Sequence, residues 1–421
     1  MRYRLFDTYA RLMSPINKTL DLTYTAVEHL PFSNSRLGRT YKAGIETAIR
    51  LVKHYPKLGF DYAPVEIEGV EHPVTEETVL TKPFCHLLHF RREGLSTNAP
   101  KVLFVAALSG HHATLSKDTF RAFLKDYDVY VTDWLDARDV PLSEGKFGVE
   151  EYVQYLEEFL EFLGPGTHAV GLCQAGPPLL CATAYMARHN NPARPASLTL
   201  IAAPIDNRVN PTNKLAKFTD LLTTKISFLK GVAIHKVPAR YPGAGRRVYP
   251  GVLQLGGFMT LNLTSHIQKN IDFIRNIIAD NEEDADKHRD FYDEYMAVLD
   301  MDADYYLETV ERVFLEQQLP RGIMEYKGEK VDCGEITDVP ILTMEGAEDD
   351  MVSIGQTQAA LSLCPNLPAR MKKHHVQRNV GHYGIFSGRF FRKEVVPVIT
   401  TWINKYRLKP VDTQIPAIRQ S

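Results

Sequence analysis

The chain has 421 residues, 44% of them hydrophobic, enough for one large α/β domain carrying an insertion, or for two domains, around a sizeable core. A formal net charge of −2 supplies no electrostatic drive toward nucleic acid or an anionic membrane. The five cysteines, Cys85, Cys173, Cys181, Cys333 and Cys364, are odd in number and none has CxxC spacing, which argues for free thiols in a reducing compartment and against a disulfide framework.

At the N-terminus, Met1-Arg2-Tyr3-Arg4-Leu5-Phe6-Asp7 does not lead into the apolar run of a signal peptide, and no later run reaches transmembrane length. The expectation is a soluble cytoplasmic protein with no bilayer insertion. Over residues 1–60, Leu5, Tyr9 and Leu12, then Ile45, Ala48, Leu51 and Val52, recur near helical spacing, which predicts a helical arm packed on the core. From Val65 to Val70 the alternation predicts a strand, and Cys85–Phe90 a second. Lys101–Ala106 is a nearly continuous apolar run, suited to a central parallel strand.

Strands and helices then alternate. Val129–Thr132 predicts a strand, Val149–Leu163 an amphipathic helix, Ala169–Leu172 a strand, Pro178–Ala187 a helix and Leu198–Ile201 a strand. This rhythm predicts a mostly parallel sheet with helices on both faces. It breaks at Arg208. Residues 208–330, rich in Leu, aromatics and helix formers such as Phe218, Leu221, Leu222, Phe228, Phe291, Tyr292, Tyr295 and Tyr305, predict a helical cap. The core resumes with a strand at Val339–Met344, a helix over Gly355–Leu363, a strand near Lys372–Val376 and a helix over Glu394–Tyr406. The core is thus expected over 61–207 and 331–421.

The most informative stretch is Thr167-His168-Ala169-Val170-Gly171-Leu172-Cys173-Gln174-Ala175-Gly176-Pro177. An apolar strand runs into small–x–Cys–x–small and then a helix, the pattern of an α/β-hydrolase nucleophile elbow with cysteine in place of serine. Two later features stand in the order that fold uses. Gly346-Ala347-Glu348-Asp349-Asp350 follows a late strand and offers a carboxylate; the Gly-x-x-Asp spacing favours Asp349, with Asp350 as the alternative. Val380-Gly381-His382-Tyr383-Gly384 follows the last strand and offers the base. A helix N-terminus and a neighbouring imidazole both favour a thiolate, so Cys173 is the expected nucleophile, His382 the base, and Asp349 the group that orients it. Two backbone N–H groups are needed for the oxyanion. One is expected from Gln174, the other from the loop Leu108-Ser109-Gly110-His111-His112, with Ser109 favoured over Leu108.

Other patterns have plainer explanations. His111-His112 lacks a third metal ligand, so no metal is expected, and loop packing or substrate contact suits the pair better. Asp300-Met301-Asp302-Ala303-Asp304 with Glu311 resembles a calcium loop, but Tyr305 occupies the position that requires glycine. An acidic helix start accounts for it. Gly243-Ala244-Gly245-Arg246-Arg247 lacks the Lys-Ser/Thr of a phosphate loop, and Cys181 reads as a buried core thiol.

The chain resembles the intracellular polyhydroxybutyrate depolymerases, cysteine-type α/β-hydrolases related to the polyhydroxyalkanoate synthases. The likeness lies in Ala107–Leu115, Thr132-Asp133-Trp134-Leu135-Asp136-Ala137-Arg138, Gly171–Gly176 and Gly381-His382-Tyr383-Gly384-Ile385-Phe386-Ser387-Gly388. The resemblance implies hydrolysis of short-chain poly(3-hydroxybutyrate), release of 3-hydroxybutyrate oligomers and monomer, and no cofactor. It also implies that the partners are the polymer chain and the surface of storage granules, with a homodimer left open. Competing readings are a synthase, CoA-dependent thiolysis of the same polymer, a small-ester or thioester hydrolase, and a non-catalytic granule-binding protein.

Overall fold

The structure is a computed structural model that describes residues 2–211 and 231–407. Eight strands form the central sheet: β1 (Val74–Lys82), β2 (Cys85–Arg92), β3 (Lys101–Val105), β4 (Asp128–Trp134), β5 (His168–Leu172), β6 (Ser197–Ile201), β7 (Ile341–Gly346) and β8 (Lys372–Gln377). Their order across the sheet is β1-β2-β4-β3-β5-β6-β7-β8. β2 pairs antiparallel with both β1 and β4, and all later pairings are parallel. The apolar runs fall in the middle of this order. β5, β6 and β7 are buried at every residue, as expected of parallel strands covered on both faces. The polar β1 lies at the edge.

Two core helices position the site. α3 (Val149–Leu163) turns Tyr152, Val153, Leu156, Phe159 and Leu160 inward, and Glu151 in its first turn accepts a hydrogen bond from Gly148 N at 2.7 Å. α4 (Gly176–Arg188) starts with Pro177 and Pro178, which suit a helix start because their missing N–H groups would be unpaired there. The closing helix α9 (Val396–Lys405) buries Ile399, Trp402 and Ile403.

Between β6 and β7 the chain leaves the sheet and builds the cap. Its helices are α5 (Gly251–Leu261), α6 (Leu263–Ala279), α7 (Glu282–Met296) and α8 (Ala303–Thr309). A small antiparallel sheet of His235–Lys236, Arg247–Tyr249 and Met301–Asp302 ties them to one another. Phe218, Leu221, Leu222 and Phe228 lie outside the described residues. Arg246 fastens the cap to the core. Its guanidinium pairs with Asp302 at 2.9 Å, donates to Val140 O and Gly145 O at 2.8 Å each and to Pro141 O, and lies 4.8 Å over the Phe84 ring. Both ions are buried, at 3% and 5% side-chain exposure.

Several expectations differ from what the chain does. The stretch Val65–Val70 is not one strand but the start of a hairpin, Val65–Ile67 against Val70–His72. It turns at Glu68 and Gly69, both with positive φ, a conformation that favours glycine. The expected helix from Gly355 is helical only over Ala359–Leu363. The buried Glu345 carboxylate takes up the N–H groups of Gly355, Thr357 and Gln358 at 2.7 to 2.9 Å, which holds that segment in turns. The last helix begins with a π-turn over Phe391–Val395 before α9. The arm also differs: α1 (Arg2–Glu28) and α2 (Arg36–Val52) precede the sheet, but α2 packs on the cap rather than on the α/β core. Ala43 joins Phe273, Ile277 and Ala285; Glu46 pairs with Arg289 at 2.7 Å, and Arg50 and Lys53 both reach Asp293. The core contact comes where the arm ends: Lys57 pairs with Asp133 of β4, and Phe60 and Tyr62 meet Phe90.

Candidate active site

Cys173 sits at the tip of the turn from β5 into α4 with φ +51°. A side-chain-bearing residue rarely adopts this conformation, and the strain costs on the order of 1–3 kcal/mol. The turn is tight because glycines let the helix cross the sheet closely. A Cβ on Gly176 would meet Ala203 Cβ at 2.3 Å, and one on Gly171 would meet Leu179 Cδ2 at 3.0 Å. The other four cysteines are buried, while Cys173 retains partial exposure. Cys181 lies inside α4, fully buried.

The acid and the base come from the ends of β7 and β8. Asp349 Oδ1 accepts the N–H groups of Met351 and Val352, each at 2.9 Å, so the carboxylate is held in a fixed pose as an acceptor. Its Oδ2 accepts from His382 Nδ1 at 2.8 Å. The Cys173 sulfur stands near enough to the His382 ring to act on its charge. Burial alone would lower the His382 pKa, but the Asp349 carboxylate and the Cys173 sulfur outweigh it and hold it well above the ordinary imidazole value. Asp349 and His382, distant in sequence, are thus joined by a hydrogen bond, with Cys173 beside the same ring. Asp350 is the neighbour that does not make this contact with His382.

Gln174 directly follows Cys173 in a short 3₁₀ turn. Ser109 lies in the loop after β3, which the cap grips from above: Leu299 N donates to Gly110 O at 2.9 Å, and His111 Nε2 donates to Tyr295 O at 3.1 Å. His111 and His112 are buried. Burial lowers their pKa values to about 4 and about 3, with Lys57 adding to the effect at His112. Both rings are neutral near pH 7, and among the described residues no group of three or more His, Cys, Asp or Glu is arranged to hold a metal ion.

Sequence reasoning missed the aromatic wall around the triad. Tyr383, next to His382, hydrogen-bonds to Tyr295 of α7, with ring centroids 5.7 Å apart. Tyr152 of α3 and Tyr305 of α8 stack at 5.4 Å, and the Cys173 charge raises the pKa of both phenols after burial has done so. Tyr305 is the residue that displaced glycine in the apparent calcium loop, and that departure from the pattern was its one signal. Asp302 accepts from Asp304 N at 2.9 Å and caps α8, as an acidic helix start would. A cleft of about 970 Å³ runs past Lys57, His86, His112, Trp134, Val252 and Val298, and so reaches the oxyanion loop.

The strand order, the strained elbow after β5 and the acid and histidine after β7 and β8 define an α/β-hydrolase. Residues 202–407 match the family model described as PHB de-polymerase C-terminus. Over that segment the chain is similar to the PHB depolymerase family. Solved structures similar to it include a soluble variant of monoglyceride lipase from Saccharomyces cerevisiae, 12% identical with a TM-score of 0.47, the match covering 82% of this chain and 99% of that one. Another is an alpha/beta hydrolase from Penicillium, 13% identical with a TM-score of 0.42, covering 80% and 99%. No curated protein sequence matches the chain. No helix among the described residues is long and apolar enough to cross a membrane.

Proposed function

We propose that this chain hydrolyses ester bonds of intracellular short-chain poly(3-hydroxybutyrate) through an acyl-cysteine intermediate, releasing 3-hydroxybutyrate oligomers and monomer. The observation that carries the proposal is the single ring of His382, hydrogen-bonded to Asp349 and close enough to Cys173 for the sulfur to raise its pKa. The Cys173 sulfur attacks the ester carbonyl and its proton passes to His382. The tetrahedral oxyanion accepts from the backbone N–H groups of Gln174 and Ser109. Collapse breaks the carbon–oxygen bond, and the His382 imidazolium protonates the leaving alkoxide. Water, deprotonated by His382, then attacks the thioester and frees the thiol. These steps use the chain's own residues and water. The family match over residues 202–407 supports the polyester substrate, as does the cleft leading to the oxyanion loop. The enzyme acts in the cytoplasm at the surface of storage granules.

The test is release of soluble 3-hydroxybutyrate from native amorphous granules. Cys173→Ala abolishes release, and Cys173→Ser retains a small fraction. Release that persists in Cys173→Ala refutes the nucleophile; polymer growth from 3-hydroxybutyryl-CoA instead of release assigns the chain to the synthases.

A further inference from the structure

Gln174 has two parts with different surroundings. Its backbone N–H follows the nucleophile, but its side chain lines a small hollow of about 20 Å³ with Val149, Tyr152, Ile205, Tyr305 and Leu319. The walls are almost entirely apolar. Within them, Gln174 Oε1 is buried with no hydrogen-bond partner. A buried acceptor left unpaired is costly and needs a reason. The hollow is next to the chemistry: Gln174 directly follows Cys173, and Tyr152 and Tyr305, which also line it, lie near enough for the Cys173 sulfur to raise their pKa values.

An unpaired carbonyl oxygen beside an acyl-cysteine asks for a donor carried by the acyl group. In a 3-hydroxybutyryl unit, the hydroxyl stands two carbons from the thioester carbonyl, beside one methyl branch. We propose that Gln174 Oε1 accepts a hydrogen bond from the free 3-hydroxyl of a chain-terminal 3-hydroxybutyryl unit, while the hollow receives its methyl group. The assignment rests on the polyester reading above. It makes Gln174 a specificity-determining residue as well as a backbone donor, and it sets the direction of attack. An ester oxygen within the chain has no hydrogen to donate, so only the hydroxyl terminus satisfies Gln174. Monomer is then released from that end faster than oligomers are released by cleavage within the chain. The free hydroxyl replaces the water-to-amide bond lost on burial, whereas an acyl group without it leaves Oε1 desolvated and unpaired.

The experiment compares kcat/KM for p-nitrophenyl esters of 3-hydroxybutyrate and butyrate, which share a leaving group, in wild type and Gln174→Leu. Gln174→Leu keeps the backbone N–H, and a loss common to both substrates cancels in the ratio. The wild-type ratio is expected to favour the hydroxy ester by about tenfold, the equivalent of one buried hydrogen bond, and Gln174→Leu to bring it within about twofold of unity. A second measurement needs only the wild type. A 3-hydroxybutyrate trimer with its hydroxyl end acetylated is expected to be cleaved about tenfold more slowly than the free trimer. Equal rates on both trimers, or a ratio that Gln174→Leu leaves unchanged, overturn this assignment while leaving ester hydrolysis intact. A wild type that cleaves neither ester nor trimer overturns the polyester reading and this one with it.

Discussion

Replacing Asp349 with asparagine tests the triad at its most constrained point. Asp349 Oδ1 is engaged by Met351 N and Val352 N, and Oδ2 by His382 Nδ1 at 2.8 Å. In Asp349→Asn, the two backbone donors fix the amide oxygen in the Oδ1 position, so the amide N–H₂ faces His382. A donor then meets a donor. The ring must give up its Nδ1 proton and carry one on Nε2, the nitrogen that should accept from the thiol. The negative charge is also lost. Unit charges about 4 Å apart at an effective dielectric of about 20 interact by about 4 kcal/mol, which corresponds to roughly a thousandfold in rate. The expectation is a kcat on p-nitrophenyl butyrate about 10³-fold below wild type, with KM little changed because Asp349 is buried beneath His382. Asp350→Asn serves as the control, with kcat within about threefold of wild type. The argument fails if Asp349→Asn stays within about tenfold of wild type, or if Asp350→Asn shows the large loss instead.

Two other expectations concern stability. Arg246→Met leaves Asp302 and three carbonyl groups without their buried donor, a loss of about 3–5 kcal/mol; the melting temperature should fall by about 3–6 °C, and a shift under about 1 °C refutes the clamp. The His382 pKa is raised on folding, so its ion pair contributes fully below the unfolded value of about 6.5 and is lost as pH rises through the higher folded value. Wild type should therefore lose melting temperature as the pH rises above about 6.5 relative to His382→Gln. Parallel curves for the two proteins over that window show that the ring carries no such charge.

The parts of the molecule readable from sequence are those whose physics is local. β3, β5, β6 and β7 announce themselves as apolar runs; Cys173 and Asp349 follow two of them, and His382 follows the more polar β8, in the order the sheet imposes. What escaped notice depends on contacts between distant residues. β1 was overlooked because Val74–Lys82 alternates weakly and its exposed edge carries Thr and Glu. The helix expected from Gly355 is interrupted by Glu345, a carboxylate ten residues upstream whose hydrogen bonds no local pattern reveals. Arg246 stood in a stretch that read only as a cap loop, yet its partners span Val140 to Asp302. The arm's apolar spacing foretold helices but not their partner, because Glu46 meets Arg289, and Arg50 meets Asp293, only after the cap has folded.

In the sequence the cap lies between Cys173 and the two residues proposed to activate it. During synthesis Cys173 emerges, and its elbow can form, while Asp349 and His382 have yet to be made. A nascent or truncated chain that ends within the cap carries an ordinary thiol with no imidazole beside it. Reactivity is thus conferred last, once β7 and β8 have added to the sheet edge, so an incomplete chain is chemically silent.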